Sequence, residues 1–483
     1  MNSTEITEGN MIPTGIYVPK HTSLRRPIRL MGISFVFYMT WVWIVSGMPL
    51  TILAKMLNMS EFGFGILGGL MTGTQISQLL GSYVVERYGH RKLMVILGGL
   101  MHRGIWLLAA MLPIFAGYGN WTWQVLLLLA CFSYTGASFI GPGSASWIAD
   151  LVPGRLQGRF FGQRMQLGLI ASMVVLIGAS YILDKAEAGG VAAIKFALIS
   201  IFMFASIAGM LEYVLYMFVP DPPRGKNTST VSLWKILWKP LSDKEFRYYL
   251  GLYCTLIASA VFMGLFTFLF MFDVIKLSNV RITILLVVTP NLVNAVCYPF
   301  WGRVTDRVGY KPALAIGGIA YLFYACWFLM ATPAHWVGAY VFGIIAFCFT
   351  GALDTGTAVL MYTKISGQGK TDLGSSYPAV SGVICAIGGA ISAVVAGALA
   401  SWIGKDWHGS VAGHPLTYHS ILFMVMIAMR LVALVFLVGI NNLQHSSATN
   451  TIKVIAEELK NTVFKVMRLL RFSSSVSANK AIH

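Results

Sequence analysis

The chain reads as an all-α membrane protein with twelve transmembrane helices in two six-helix, pseudo-symmetric bundles. Three observations lead there. The 483 residues are 57% hydrophobic and 11% charged, where soluble domains carry roughly 25% charge. Apolar runs of about 20 residues, the length a helix needs to cross roughly 30 Å of hydrocarbon, recur twelve times along the chain. A polar stretch from Pro220 to Arg247 then divides these runs six and six.

The expected spans lie near 31–54, 62–85, 93–115, 123–149, 165–183 and 194–219, then 248–272, 282–301, 313–332, 336–361, 377–403 and 419–440. This gives a tail over 1–30, a six-helix bundle over 31–219, a linker over 220–247, a second bundle over 248–440 and a tail over 441–483. The first apolar run is long enough to span and follows a polar, basic segment, so it serves as an uncleaved first span rather than a signal peptide. In the second tail, Ile452, Ile455, Leu459, Val463, Val466 and Leu470 recur at helical spacing among Lys and Arg. An interfacial amphipathic helix over 451–472 is the expectation.

The net charge of +17 at first suggests an acidic partner, but position argues otherwise. With the N-terminus placed in the cytoplasm, 27 of the 35 Lys and Arg fall on the cytoplasmic side. Such a bias sets topology, so both termini are expected inside and the basic surface faces membrane lipid, not nucleic acid. The six cysteines all fall in apolar stretches without metal-binding spacing. They read as buried small hydrophobes, and neither metal nor cofactor is called for. A monomer in the plasma or inner membrane is the expected form.

One loop pattern occurs twice. Gly81, Glu86, Arg87, Gly89 and Arg91 follow the second span, and Gly302, Asp306, Arg307, Gly309 and Lys311 follow the eighth. Both fit G-x-x-x-[DE]-R-x-G-x-[RK] and stand at equivalent places in the two halves. Pro113 and Pro333, and Thr135-Gly136 and Thr355-Gly356, keep the same offset, so the halves read as an internal duplication. The glycines allow close helix approach and a tight reversal. A carboxylate at such a place can cap a helix N-terminus, and the arginines can bind acidic groups or lipid phosphate.

This arrangement resembles the major facilitator superfamily of secondary transporters over residues 31 to about 440. Asp150-Leu151-Val152-Pro153 followed by Gly158-Arg159-Phe160-Phe161-Gly162 is similar to that family's loop between helices 4 and 5. One departure is Glu86, where the family usually has Asp. The resemblance implies that Glu86 and Asp306 hold the cytoplasmic side shut in the outward-open state, and that spans 1, 4, 7 and 10 line a central cavity. It implies a carrier of a small molecule that works by alternating access; a carboxylate at Asp354 could bind a cationic substrate or support proton symport or antiport. The alternative is a non-transporting sensor or assembly factor of the same fold. A membrane-embedded enzyme would need a nucleophile or metal constellation, and none is evident.

Charges inside spans are costly and mark functional positions. Depth along each helix, at about 1.5 Å per residue, suggests the pairs Arg103 with Glu212 and Arg430 with Asp354. Asp354 is the candidate for substrate binding or proton transfer, with Tyr134 opposite it and Trp41, Asn291 and Asn294 nearby. Span 2 also carries Gly65, Gly69, Gly73, Ser77 and Gly81 at every fourth position. That stripe reads as a smooth contact surface for glycine-rich span 11.

Overall fold

A computed structural model describes residues 21–88, 90–115, 119, 121–152, 154–221, 238, 240–367, 376–411, 414–440 and 449–461. Among them, eleven helices are long and apolar enough to cross a membrane, beginning with Arg26–Met56 and ending with Tyr418–Gly439. They match eleven of the twelve expected spans. Span 2 is the one left out: it runs as Glu61–Gly73, a tight turn at Thr74–Ile76 and Ser77–Tyr88, and its glycines together with Thr74, Gln75, Ser77 and Gln78 make it less apolar than the others. At that turn the Thr72 and Thr74 hydroxyls donate back to the carbonyls of Gly69 and Leu70, side-chain bonds of the kind that bend a helix. One two-stranded hairpin, His408–Val411 with His414–Thr417, stands between spans 11 and 12.

Two compact units emerge. The first comprises residues 1–230 with 264–287 and 390–402, and the second 231–263 with 288–389 and 403–483. Within the first, span 3 packs on spans 4 and 6, and span 4 on the second half of span 2. The second repeats this, with span 9 on spans 10 and 12 and span 10 on span 8. The duplication legible in the loops is therefore also a duplication of packing. Each unit has its own core: Ile140, Trp147, Tyr213 and Tyr216 stand in one, and Phe246, Tyr249, Leu314 and Tyr377 in the other. Outward faces such as Leu97, Met101 and Leu108 on span 3 stay exposed, as a lipid-facing surface requires.

The glycine stripe meets two partners in the first unit. A Cβ at Gly65 would stand 2.7 Å from the Gly397 Cα, and one at Gly69 would meet the Ala390 carbonyl at 3.1 Å. Beyond the turn at 74–76 the stripe faces span 4 instead. Ser77 Oγ donates to the Thr135 carbonyl at 2.9 Å, and a Cβ at Gly81 would collide with the Phe139 carbonyl. Small residues are needed along both stretches because backbone, not side chain, is the neighbour.

The helix over 449–461 lies against the second unit. Val454 and Ile455 pack on a cluster of Trp301, Val304, Val308, Ala313 and Ala352. The other half of the expected amphipathic helix, 462–472, lies outside the described residues, as does most of the linker.

Candidate functional site

Span 3 brings Arg103 into the first unit, and several contacts fix it there. The Arg103 carbonyl accepts from Ser206 Oγ at 2.6 Å, and Ser133 Oγ bonds the neighbouring His102 carbonyl at 3.0 Å. Gly209 makes room: a Cβ there would press on Arg103 Cδ at 2.7 Å. The guanidinium then donates from Nη2 to Glu212 Oε2 at 2.7 Å, with the two side chains 1% and 5% exposed. It lies 3.6 Å from the centre of the Trp41 ring, with Tyr38 and Tyr213 at 5.4 and 5.6 Å. Such face contacts stabilise a cation most where water is excluded. The pair that helix depth suggests is made, and it borders a cavity of about 380 Å³ lined by Phe35, Trp41, Arg103, Arg164, Glu212 and Tyr213 among others.

The second unit holds a cavity of about 190 Å³ bordered by Asp354, Tyr253, Tyr321, Thr350 and Thr357. Asp354 is exposed there and accepts a hydrogen bond from the Tyr298 hydroxyl at 2.8 Å. Its expected pairing with Arg430 is not made. Arg430 lies over the Tyr321 ring at 3.6 Å and donates to the Tyr321 carbonyl and to Ser259 Oγ. A carbonyl, a hydroxyl and a ring face thus take the place of a carboxylate, and depth alone did not fix which way each side chain points.

Three other expected residues, Tyr134, Asn291 and Asn294, line neither cavity. Tyr134 is buried, and its hydroxyl donates to the Val45 carbonyl at 2.6 Å, which ties span 4 to span 1 and leaves no free hydroxyl proton. Asn291 and Asn294 are half-buried on span 8, and neither borders the 190 Å³ cavity. Trp41, by contrast, lines the larger cavity directly.

The doubled loops also resolve into contacts. In the first copy, Arg91 is buried and bridges Asp150 at the end of span 4 and Asp221 after span 6. Lys92 Nζ donates to the Met217 and Val219 carbonyls at 3.0 and 2.7 Å, satisfying the carbonyl end of span 6 as cations do at helix C-termini. Arg87 pairs with the Tyr83 hydroxyl. Gly89 and the side chain of Glu86 lie outside the described residues. In the second copy, Asp306 is exposed and forms no ion pair among the described residues. Gly309 has φ +87, a left-handed turn that favours glycine. Arg303 Nε and Arg307 Nη2 reach Glu458 at 2.9 and 3.0 Å, and Arg307 Nη1 reaches Glu457 at 3.6 Å.

The terminal helix therefore docks on the second loop through a buried glutamate. Glu458→Ala is expected to raise amide exchange over 449–461 by about 5- to 30-fold, the effect of losing about 1–2 kcal/mol of local stability. Hydrogen-exchange mass spectrometry of the purified protein checks this. Unchanged protection would mean that the apolar contacts of Val454 and Ile455 suffice.

At the end of the first unit remote from its own copy of the loop, polar contacts not among the sequence expectations join distant segments. Asp184 at the end of span 5 accepts from the Asn279 and Val280 amides at 2.7 and 3.1 Å. Glu187 accepts from Asn279 Nδ2 at 2.9 Å, and Ser180 bonds Thr283 at 2.6 Å. Lys55 pairs with Asp273. The available signal was the Asp184–Glu187 doublet, one helical turn long, facing a Ser278-Asn279 helix start.

Eleven apolar helices among the described residues, the doubled loops and a largely apolar cavity in each unit are those of a multi-pass membrane protein. A sequence family described as Major Facilitator Superfamily matches residues 30–369, and the chain belongs to that superfamily of secondary transporters. No curated protein matches the chain in sequence. Two solved structures of the nucleoside transporter NupG share the fold. A point mutant aligns with TM-score 0.62 and 13% identity over 86% of this chain and 100% of its own. A second NupG structure gives 0.61 and 12% over 86% and 98%.

Proposed function

We propose that the protein carries a small amphipathic molecule by alternating access, coupled to protons through Asp354. The observation that carries this reading is the state of Asp354. It stands within an apolar span, yet its carboxylate forms no ion pair among the described residues, is exposed and is held by a hydrogen bond from Tyr298. A carboxylate locked in an ion pair could not exchange a proton cheaply, whereas one open to a cavity can. The larger cavity, with its aromatic wall and few charges, supports an amphipathic cargo over a polyanion. Both ligands must bind the two states unequally, since a ligand with equal affinity shifts nothing. The basic bias of the doubled-loop side supports a cytoplasmic placement of that side and of both termini.

The test is flux in proteoliposomes holding a pH-sensitive dye, challenged in turn with a nucleoside, a sugar, an amino acid and an aromatic acid. The expected result is lumenal pH change that depends on one class of solute and vanishes with a protonophore. Solute uptake without any proton movement would remove the coupling and leave a uniporter.

A further inference from the structure

The larger cavity leaves much of its hydrogen-bonding capacity unused. Arg103 gives one nitrogen to Glu212, but its Nε and Nη1 are buried without a partner, as are Trp41 Nε1 and Arg164 Nε. All three side chains line the same cavity. Buried donors of this kind are costly to leave unmade, and a cluster of them around open space points to an acceptor that belongs there. Charge points the same way. With histidine neutral, the lining holds two cations, Arg103 and Arg164, and one anion, Glu212, so one positive charge, on the half-buried Arg164, is uncompensated at the cavity. Arg164 has a ring face as well, its guanidinium lying 4.3 Å from the Phe35 centroid, with the Tyr216 hydroxyl 3.5 Å from Nη2. The remaining wall is apolar and aromatic, and about 380 Å³ falls in the roughly 300–1,000 Å³ range of small-molecule sites.

We propose that this cavity binds a small organic monoanion, a carboxylate on an apolar body, with Arg103, Arg164 and the Trp41 indole as its donors. The carboxylate supplies the missing negative charge and acceptors for the orphaned nitrogens, and the body packs on the aromatic wall. A neutral amide of equal shape brings one acceptor where the carboxylate brings two, and no charge. A dianion would overcompensate the single excess charge. The inference rests on the transporter reading above and names its substrate class.

The experiment uses the full chain in detergent micelles, titrated with sodium benzoate, sodium cyclohexanecarboxylate, benzamide and sodium chloride, read by thermal midpoint and calorimetry. The two carboxylates are expected to raise the midpoint by several degrees and to saturate, while benzamide and chloride do not. Trp41→Phe keeps the ring under Arg103 but removes the indole donor, and Arg164→Gln removes the excess charge. Each is expected to weaken benzoate binding about tenfold or more. If Arg164→Gln fails to fold, Arg164→Lys keeps the charge, loses the planar fork, and is expected to weaken binding as well. Equal shifts from benzoate, benzamide and chloride would assign the donors to water and overturn the proposal, as would benzoate affinity unchanged in both variants. Proton-coupled carriage of a neutral solute with no benzoate binding would overturn it while sparing the transport reading. Benzoate that binds here but is never carried would leave the site standing and count against that reading.

Discussion

Glu212→Leu is expected to destabilise the protein by about 3–5 kcal/mol, the range for removing one partner of a buried ion pair. The reason is what it leaves behind. Arg103 is 1% exposed, with two nitrogens already unpartnered, and losing Glu212 would strand the whole guanidinium in a low-dielectric interior. The ring faces of Trp41, Tyr38 and Tyr213 offset part of that cost and no more. Replacing both residues, Arg103→Leu with Glu212→Leu, is expected to recover most of the loss, because a buried pair and well-packed apolar side chains are often close in free energy. Thermal unfolding of the two single variants and the double variant in one detergent closes the cycle. Additive losses would show that the 2.7 Å contact carries no coupling. The Lys55–Asp273 pair sets the scale at the other extreme: with side chains 49% and 41% exposed, its removal is worth no more than about 1 kcal/mol.

Why one in-span pair was legible in the sequence and the other was not is a matter of geometry. Depth along a helix is fixed by its constant rise per residue, so Arg103 and Glu212 could be placed at matching levels. The direction a side chain takes around its helix axis depends on how neighbouring helices rotate, which spacing within one helix does not determine. For Arg103 the small residues Gly209 and Ser206 on span 6 happened to open the right face. Arg430 met Tyr321 and Ser259 first. The spans themselves were readable because twelve apolar runs leave little choice, and span 2 stands apart only through its glycines and its Thr, Ser and Gln residues. Docking of the terminal helix was only partly legible: of its expected apolar stripe Ile455 packs on the Trp301 cluster while Ile452 and Leu459 stay exposed, and the role of Glu457 and Glu458 needed the positions of Arg303 and Arg307, which are remote from them in the chain. The cavity of the first unit was the least readable feature: Phe35, Tyr38 and Trp41 recur at helical spacing on span 1, but the wall draws on five spans, and how those helices rotate against one another is not written in any one of them.

Asp354→Asn is expected to abolish gradient-driven accumulation while leaving solute exchange nearly intact. A pH difference of one unit is worth about 1.4 kcal/mol per proton, so one-to-one coupling sustains up to about tenfold accumulation of a neutral-equivalent solute. The variant should fall to a ratio of about one. The substitution suits the question because it keeps the shape of the side chain and an oxygen that can accept from Tyr298, now 2.8 Å away, and removes only the group that titrates. Tyr298→Phe provides the complementary case: it frees the carboxylate without removing it, so accumulation should persist with a displaced pH profile. Counterflow across the same liposomes without a proton gradient separates the two effects, since exchange needs the site and the conformational cycle but no proton. Full accumulation by the Asn variant would exclude Asp354 as the proton site. Among the described in-span acids singled out by the sequence, that would leave Glu212, whose bond to Arg103 would then have to open during each turnover.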